Sequence, residues 1–144
     1  MVYEERNTWV GLVVTVIALT TYIVIVLQRA GDGPLTGVEW WPIMLWTILG
    51  SIAATVIVSI LWGMIAGVRD PAGVGASDDR DRDIARMGGR VGQAFTVIAG
   101  LGVIVLCALE ADAFWIAHTM FFGFALSAFI GGIASVIAYR RGLV

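Results

Sequence analysis

Four long stretches of this chain contain no charged side chain, and they restrict its possible folds more than any other feature. They cover residues 7–28, 40–68, 91–109 and 113–139. A helix needs roughly 20 apolar residues to cross the hydrocarbon core of a bilayer. The sequence therefore predicts an all-α integral membrane protein, a bundle of four transmembrane helices.

Composition excludes the main alternatives to a membrane protein. Of the 144 residues, 59% are hydrophobic and 14% are charged, whereas about a quarter of the residues in a soluble domain are charged. A disordered chain combines low hydrophobicity with high charge. Nine Arg residues face eleven acidic residues and there is no Lys, so we expect no nucleic-acid partner. The single Cys, Cys107, can form no disulfide within the chain, and we expect it to be a small buried residue.

The predicted helices fill almost the whole chain, so we expect a single transmembrane domain over residues 1–144. A loop over residues 70–90 separates the second helix from the third and is expected to contain a short helix over about 78–87. Ser77 is a suitable N-cap for that short helix, and its acidic residues precede its Arg residues, which suits the helix dipole. The four predicted transmembrane helices are about residues 8–28, 41–67, 91–109 and 113–139.

The distribution of Arg predicts the orientation of the chain. With four spans, both termini and the middle loop share one side of the membrane, and that side holds every Arg except Arg29. Basic residues concentrate on the cytoplasmic side of membrane proteins. We therefore expect the N- and C-termini to be cytoplasmic.

The two halves of the chain follow a similar pattern. Each half predicts a helical hairpin, and the four residues 15–18 of the first helix recur as residues 96–99 of the third. A duplicated hairpin would place the pseudo-symmetry axis along the membrane normal. Short apolar sequences also resemble one another by chance, so duplication and coincidence both stay open.

Small residues recur every four positions in the second and fourth helices. Such stripes allow helix backbones to approach closely in lipid. Two interpretations stay open, namely packing within the chain and an interface of a homo-oligomer. The stripes are Ser51, Thr55, Ser59 and Gly63 in the second helix, and Gly123, Ser127, Gly131 and Ser135 in the fourth.

Ionisable groups near the predicted outer surface are candidates for function, because such groups are costly inside a membrane. The candidates are Arg29, Glu110, Asp112 and His118. His118 could bind a metal, relay a proton or cap a polar network, and Glu110 could pair with Arg29. Asp112 is a suitable N-cap for the fourth helix. No motif for a catalytic, cofactor or metal site is present, and no acidic residue falls in mid-membrane, so we predict neither an enzyme nor a cofactor.

Residues 77–87 form the longest polar segment, in which acidic and basic side chains alternate. Asp79/Arg82 and Asp83/Arg86 stand three residues apart, and each pair would stabilise a helix by about 0.2–0.5 kcal/mol. A cytoplasmic protein or a second copy of the chain could bind this segment, and a solvated loop is the alternative. The candidate interaction helix comprises Asp79, Asp81, Arg82, Asp83 and Arg86.

Segments along the whole chain resemble those of one known family. They are Glu4-Glu5-Arg6 with Trp9, residues 79–84, residues 110–117 and residues 138–142. Together they resemble small four-helix membrane proteins of high-GC Gram-positive bacteria, a family without an established activity. The resemblance implies a location in the bacterial cytoplasmic membrane. It also implies a sensing role, because members often lie beside small helix-turn-helix regulators. Relatives have His where this chain has Ala113, so the resemblance assigns no role to His118.

Two functions from different classes fit these features. The first is a non-enzymatic sensor or scaffold that self-associates, contacts membrane lipids and binds a cytoplasmic protein through its loop. The alternative is a small oligomeric channel or transporter for a small or apolar solute, whose path the hydroxyls of the second helix would line. An enzyme acting on lipid would have only Glu110, Asp112 and His118 near one surface.

Overall fold

A computed structural model describes residues 3–69 and 79–141. The described residues form four long helices, and a short 3-10 turn, Leu35–Gly37, lies between the first two. Each of the four is long and apolar enough to cross a membrane. The predicted all-α four-helix bundle is therefore confirmed. Its helices are α1 (Tyr3–Ala30), α2 (Trp40–Arg69), α3 (Asp79–Ala108) and α4 (Ala113–Arg141).

Each helix is longer than the apolar stretch that predicted it. At the loop between α3 and α4, the helix ends and the ends of the apolar stretches agree to within one residue. α1 begins at Tyr3 instead of about residue 8, and α4 ends at Arg141 instead of about residue 139. Helices of this length are about 42–45 Å long, whereas the hydrocarbon core of a bilayer is about 30 Å thick. Outside the core, a helix can carry polar side chains and still form its internal backbone hydrogen bonds. The additional turns carry such polar side chains.

α3 differs most from the sequence prediction. The predicted short loop helix and the predicted spanning helix are one continuous helix that contains Gly88 and Gly89. Glycine in a helix interior costs about 1 kcal/mol relative to alanine. At Gly88 close packing offsets this cost, because a Cβ there would lie 2.8 Å from the carbonyl oxygen of Gly131 in α4. The rest of the predicted loop, including Ser77 and Asp78, lies outside the described residues.

Neighbouring helices run antiparallel. α3 packs against α4, α4 against α1, and α1 against α2. Leu12 near the start of α1 meets Gly132 near the end of α4, and Asn7 meets Ser59 of α2. Both ends of the described chain therefore lie at the same end of the bundle, which we call the termini end, and the other is the opposite end.

The two hairpins are not arranged around a two-fold axis. Such an axis would pack α2 against α3 as α4 packs against α1. Within residues 3–69 and 79–141, α2 and α3 have no packing of comparable extent. Duplication of the hairpin stays a prediction from the sequence.

The small-residue stripe of α4 packs within the chain. A Cβ on Gly92 of α3 would lie 2.6 Å from the carbonyl oxygen of Ser127, and a Cβ on Gly123 would overlap the side chain of Ala99. Gly131 and Ser135 are buried in the same interface, where they face Gly88. The close approach of α3 and α4 explains why α4 has small residues at this spacing.

The stripe of α2 is only partly used within the chain. The Ser59 hydroxyl donates a hydrogen bond to Oδ1 of Asn7 in α1, whereas the Thr55 hydroxyl donates to the carbonyl of Ser51 in its own helix. Gly63 is half-buried, and most large apolar side chains of α2 are exposed. A homo-oligomer that uses α2 stays a prediction.

Cys107 lies exposed near the end of α3, so the expectation that it is buried was wrong. The face of α3 that packs against α4 contains Gly88, Gly92 and Ala99. Successive residues of a helix are rotated by about 100° around its axis, which places position 107 to one side of that face. This part of α3 is apolar on all sides, so hydropathy alone does not identify the buried face.

Candidate functional site

A buried aromatic cluster closes the opposite end of the bundle. Tyr22 and Val26 of α1 pack there with Val38 of the loop, and with Phe114 of α4. Ile43 and Met44 of α2 complete this cluster. Three helices and the connecting loop thus meet at one point, which holds His118 in the interior.

His118 is 5% exposed, and both of its ring nitrogens have partners. Nδ1 lies 2.6 Å from the carbonyl oxygen of Phe114, and Nε2 lies 2.6 Å from the hydroxyl oxygen of Tyr22. A carbonyl oxygen can only accept a hydrogen bond, so Nδ1 carries a proton. In the neutral ring, Nε2 then accepts a hydrogen bond from the Tyr22 hydroxyl. This network assigns the tautomer and leaves no ring nitrogen for a metal ion.

Aromatic rings surround the imidazole of His118. The Phe114 ring is stacked on it at 3.8 Å between centroids, and the Trp40 ring meets it edge-on at 5.5 Å. The Tyr22 ring also packs against Phe121 at 4.6 Å. His118 and Tyr22 therefore form a polar link between α4 and α1 inside an apolar cluster. A polar network was one of the roles predicted for His118, but the sequence did not identify Tyr22 as its partner.

The other three predicted outer residues do not join His118. Asp112 accepts a hydrogen bond from the Phe114 backbone N–H, 2.8 Å from Oδ1, so its predicted role as the N-cap of α4 is confirmed. Glu110 lies exposed in the turn before α4 with a φ of 52°. Arg29 lies exposed at the end of α1. Within the described residues Arg29 and Glu110 form no ion pair.

The charged start of α3 is partly as predicted. The Asp79–Arg82 and Asp83–Arg86 pairs are present, with N–O distances of 3.4 and 3.6 Å. Asp81 differs from the expectation, because its side chain is only 7% exposed and belongs to the face that packs within the chain. Four of the five residues of the candidate interaction helix are thus exposed, and the fifth is not available to a partner.

A second polar cluster, at the termini end, was not predicted. Nε of Arg140 lies 3.5 Å from Oε1 of Glu5, and the Arg140 guanidinium lies 5.8 Å from the centre of the Trp9 ring. The Arg6 guanidinium lies 5.2 Å from the centre of the Trp62 ring of α2. An even number of spans brings the first and last helices to one membrane surface. The opposite charges of Glu5 and Arg140 could therefore have been used to predict this ion pair from the sequence.

Apolar cavities lie between the helices. One of about 460 Å³ lies between α1, α2 and α4, and a groove of about 450 Å³ lies between α1 and α4. The hydroxyls of Thr15, Thr47 and Ser51 at the first cavity all donate to carbonyl oxygens of their own helices at 2.8 Å. The cavity walls therefore present little free hydrogen-bonding capacity and suit apolar molecules.

Comparisons with known protein families, with curated proteins and with solved structures find no match to this chain. The family resemblance stays a prediction from the sequence.

Proposed function

We propose that this protein is a non-enzymatic membrane scaffold or sensor whose recognition surface is the charged start of α3. The continuity of α3 carries this proposal. Residues 91–108 are about 27 Å long, close to the roughly 30 Å of the hydrocarbon core. Residues 79–90 then extend about 18 Å beyond it at the termini end.

The geometry of this extension suits recognition. One side is buried at Asp81, Ile84 and Gly88, and Gly88 packs against Gly131 of α4. The other side exposes charged side chains, among them Arg82 and Arg86. A helix that is already ordered loses little conformational entropy when a partner binds. The proposed partner is a cytoplasmic protein, or a second copy of this chain, with a complementary pattern of charges.

A photo-crosslinking amino acid at position 86 of the full-length chain tests this function in native membranes. We expect a discrete crosslinked product, and we expect it to disappear when Arg82→Glu and Asp83→Arg reverse the neighbouring charges. Position 104 is the matched control, because it is 65% exposed in the apolar part of the same helix. Equal products at positions 86 and 104, or a product that survives charge reversal, would contradict the proposal.

A channel or transporter for a small apolar solute is the second candidate, and the cavity between α1, α2 and α4 favours it. Ala18 lies on the wall of this cavity, so Ala18→Phe is expected to reduce flux into protein-containing liposomes. Equal solute flux in protein-containing and empty liposomes, over a broad panel of solutes, would exclude this function.

Self-association and orientation complete the proposal. The exposed apolar surface of α2 supports a homo-oligomer, and the Arg distribution supports cytoplasmic termini in a bacterial cytoplasmic membrane. Native mass spectrometry would give the number of copies, and a monomer at all concentrations would contradict self-association. Reporter fusions at each terminus would give the orientation, and reporters active outside the cell would contradict it.

A further inference from the structure

We infer that the groove between α1 and α4 binds a phospholipid with an anionic headgroup, in the leaflet at the termini end. The proposed recognition surface on α3 lies on another helix, so this inference does not depend on the scaffold function. Three features of the groove carry it: its apolar walls, its length, and the Arg140 guanidinium at its mouth.

The groove has a volume of about 450 Å³ and is lined by apolar and aromatic side chains alone. On α1 it extends from Trp9 to Ile17, and on α4 from Phe129 to Ile137. Eight residue steps correspond to about 12 Å along a helix, and one leaflet contributes about 15 Å to the hydrocarbon core. An acyl chain that lies along the groove therefore matches its length and its chemistry.

Both walls of the groove lead to an Arg at the termini end. Arg6 precedes Val13 by seven residues, so the two lie on the same face of α1. Arg140 follows Ile137 by three residues and lies on the corresponding face of α4. The Arg140 guanidinium lies 5.8 Å from the centre of the Trp9 ring, and Trp9 is itself part of the groove wall. The Arg140 guanidinium therefore lies at the mouth of the groove, whereas the Arg6 guanidinium lies over the Trp62 ring of α2.

Among the described residues, the ion pair with Glu5 leaves the Arg140 side chain partly exposed. Glu5 is largely buried and lies 3.5 Å from Nε of Arg140, whose side chain is 62% exposed. A guanidinium has five N–H donors, so this one contact leaves donors for another acceptor. A phosphodiester would provide such an acceptor together with the opposite charge.

An amphiphile satisfies the whole site, whereas a free anion would leave the groove empty. Basic pockets between transmembrane helices recognise anionic lipid headgroups. A zwitterionic headgroup carries a positive charge that would meet the Arg140 guanidinium. The site should therefore distinguish phosphatidylglycerol from phosphatidylcholine with the same acyl chains.

Native mass spectrometry of the detergent-solubilised full chain, with equal amounts of these two lipids, tests the inference. We expect the phosphatidylglycerol adduct to exceed the phosphatidylcholine adduct, and we expect Arg140→Gln to reduce this ratio about fivefold. Arg140→Lys keeps the positive charge beside Glu5 and should retain most of the preference. Arg29→Gln, at the opposite end, is the matched control and should leave the ratio unchanged. Equal binding of both lipids, or an unchanged ratio in Arg140→Gln, would overturn the inference.

A second pair of variants tests the groove without changing its charges. Ile133→Trp fills the groove and should reduce the amount of bound phosphatidylglycerol several-fold. Ile98→Trp adds the same ring to a side chain that is 63% exposed on α3, and it should leave binding unchanged. Equal lipid binding by these two variants would show that the groove is not the site.

Discussion

Adding a single methyl group to α3, in the variant Gly92→Ala, tests the close packing of α3 against α4. The new Cβ would lie 2.6 Å from the carbonyl oxygen of Ser127 and 3.3 Å from its carbonyl carbon. Both are backbone atoms in the middle of a helix, so neither can rotate away. The two helices must therefore move apart to accept the methyl group.

The required displacement gives the size of the effect. Real Cβ contacts are essentially never shorter than 3.0 Å, so the helices must separate locally by about 0.4 Å. A gap of 0.5–1 Å already forfeits about a quarter to a half of the attraction between two atoms. Overpacking of a tightly packed interface typically costs about 1–3 kcal/mol. We expect Gly92→Ala to lower the free energy of unfolding by that amount.

Gly100→Ala is the matched control, because a Cβ at Gly100 of the same helix would meet no atom within 4 Å. Alanine is favoured over glycine in a helix by about 1 kcal/mol, so this variant should be more stable than the parent. Unfolding of the purified variants by increasing sodium dodecyl sulfate, followed by circular dichroism, measures the difference. Equal stability of Gly92→Ala and Gly100→Ala would refute the close α3–α4 contact.

Three further predictions concern the opposite end of the bundle. Tyr22→Phe removes the hydroxyl that reaches His118, and the same unfolding assay should show a loss of about 0.6–1.7 kcal/mol; a double-mutant cycle with His118→Phe that gives no coupling would contradict the hydrogen bond. Asp112→Ala removes the N-cap of α4 and should cost about 1 kcal/mol, whereas Asp112→Asn should cost less. Cys107 should react with maleimide in the folded, solubilised protein, and a mass that stays unchanged until unfolding would show that this thiol is buried.

The number and type of the helices could be predicted because they depend on local properties. A charge-free stretch of sufficient length forms a helix in lipid whatever its neighbours are, since its backbone hydrogen bonds are internal. The N-cap at Asp112 and the ion pairs Asp79–Arg82 and Asp83–Arg86 were predictable for the same reason, because their partners lie two or three residues away.

The contacts that build the candidate sites could not be predicted in this way. Tyr22 and His118 are 96 residues apart in the chain, and Glu5 and Arg140 lie near its two ends. An outer cluster of charged residues with His118 was expected because these residues share a predicted depth. Depth in the membrane does not determine the order of helices around the bundle, and within the described residues Arg29 and Glu110 form no ion pair.

The sequence by itself determined four membrane-spanning helices, a common end for both termini, and a charged segment beside the third span. Tertiary structure alone decided that this segment continues α3, that Asp81 is buried, and that Arg140 stands at the mouth of an apolar groove. The physical reason is the uniform hydropathy of the helices. When every face of a helix is apolar, the face that packs depends on the shapes of side chains from several helices at once, as at Gly92 and Ser127.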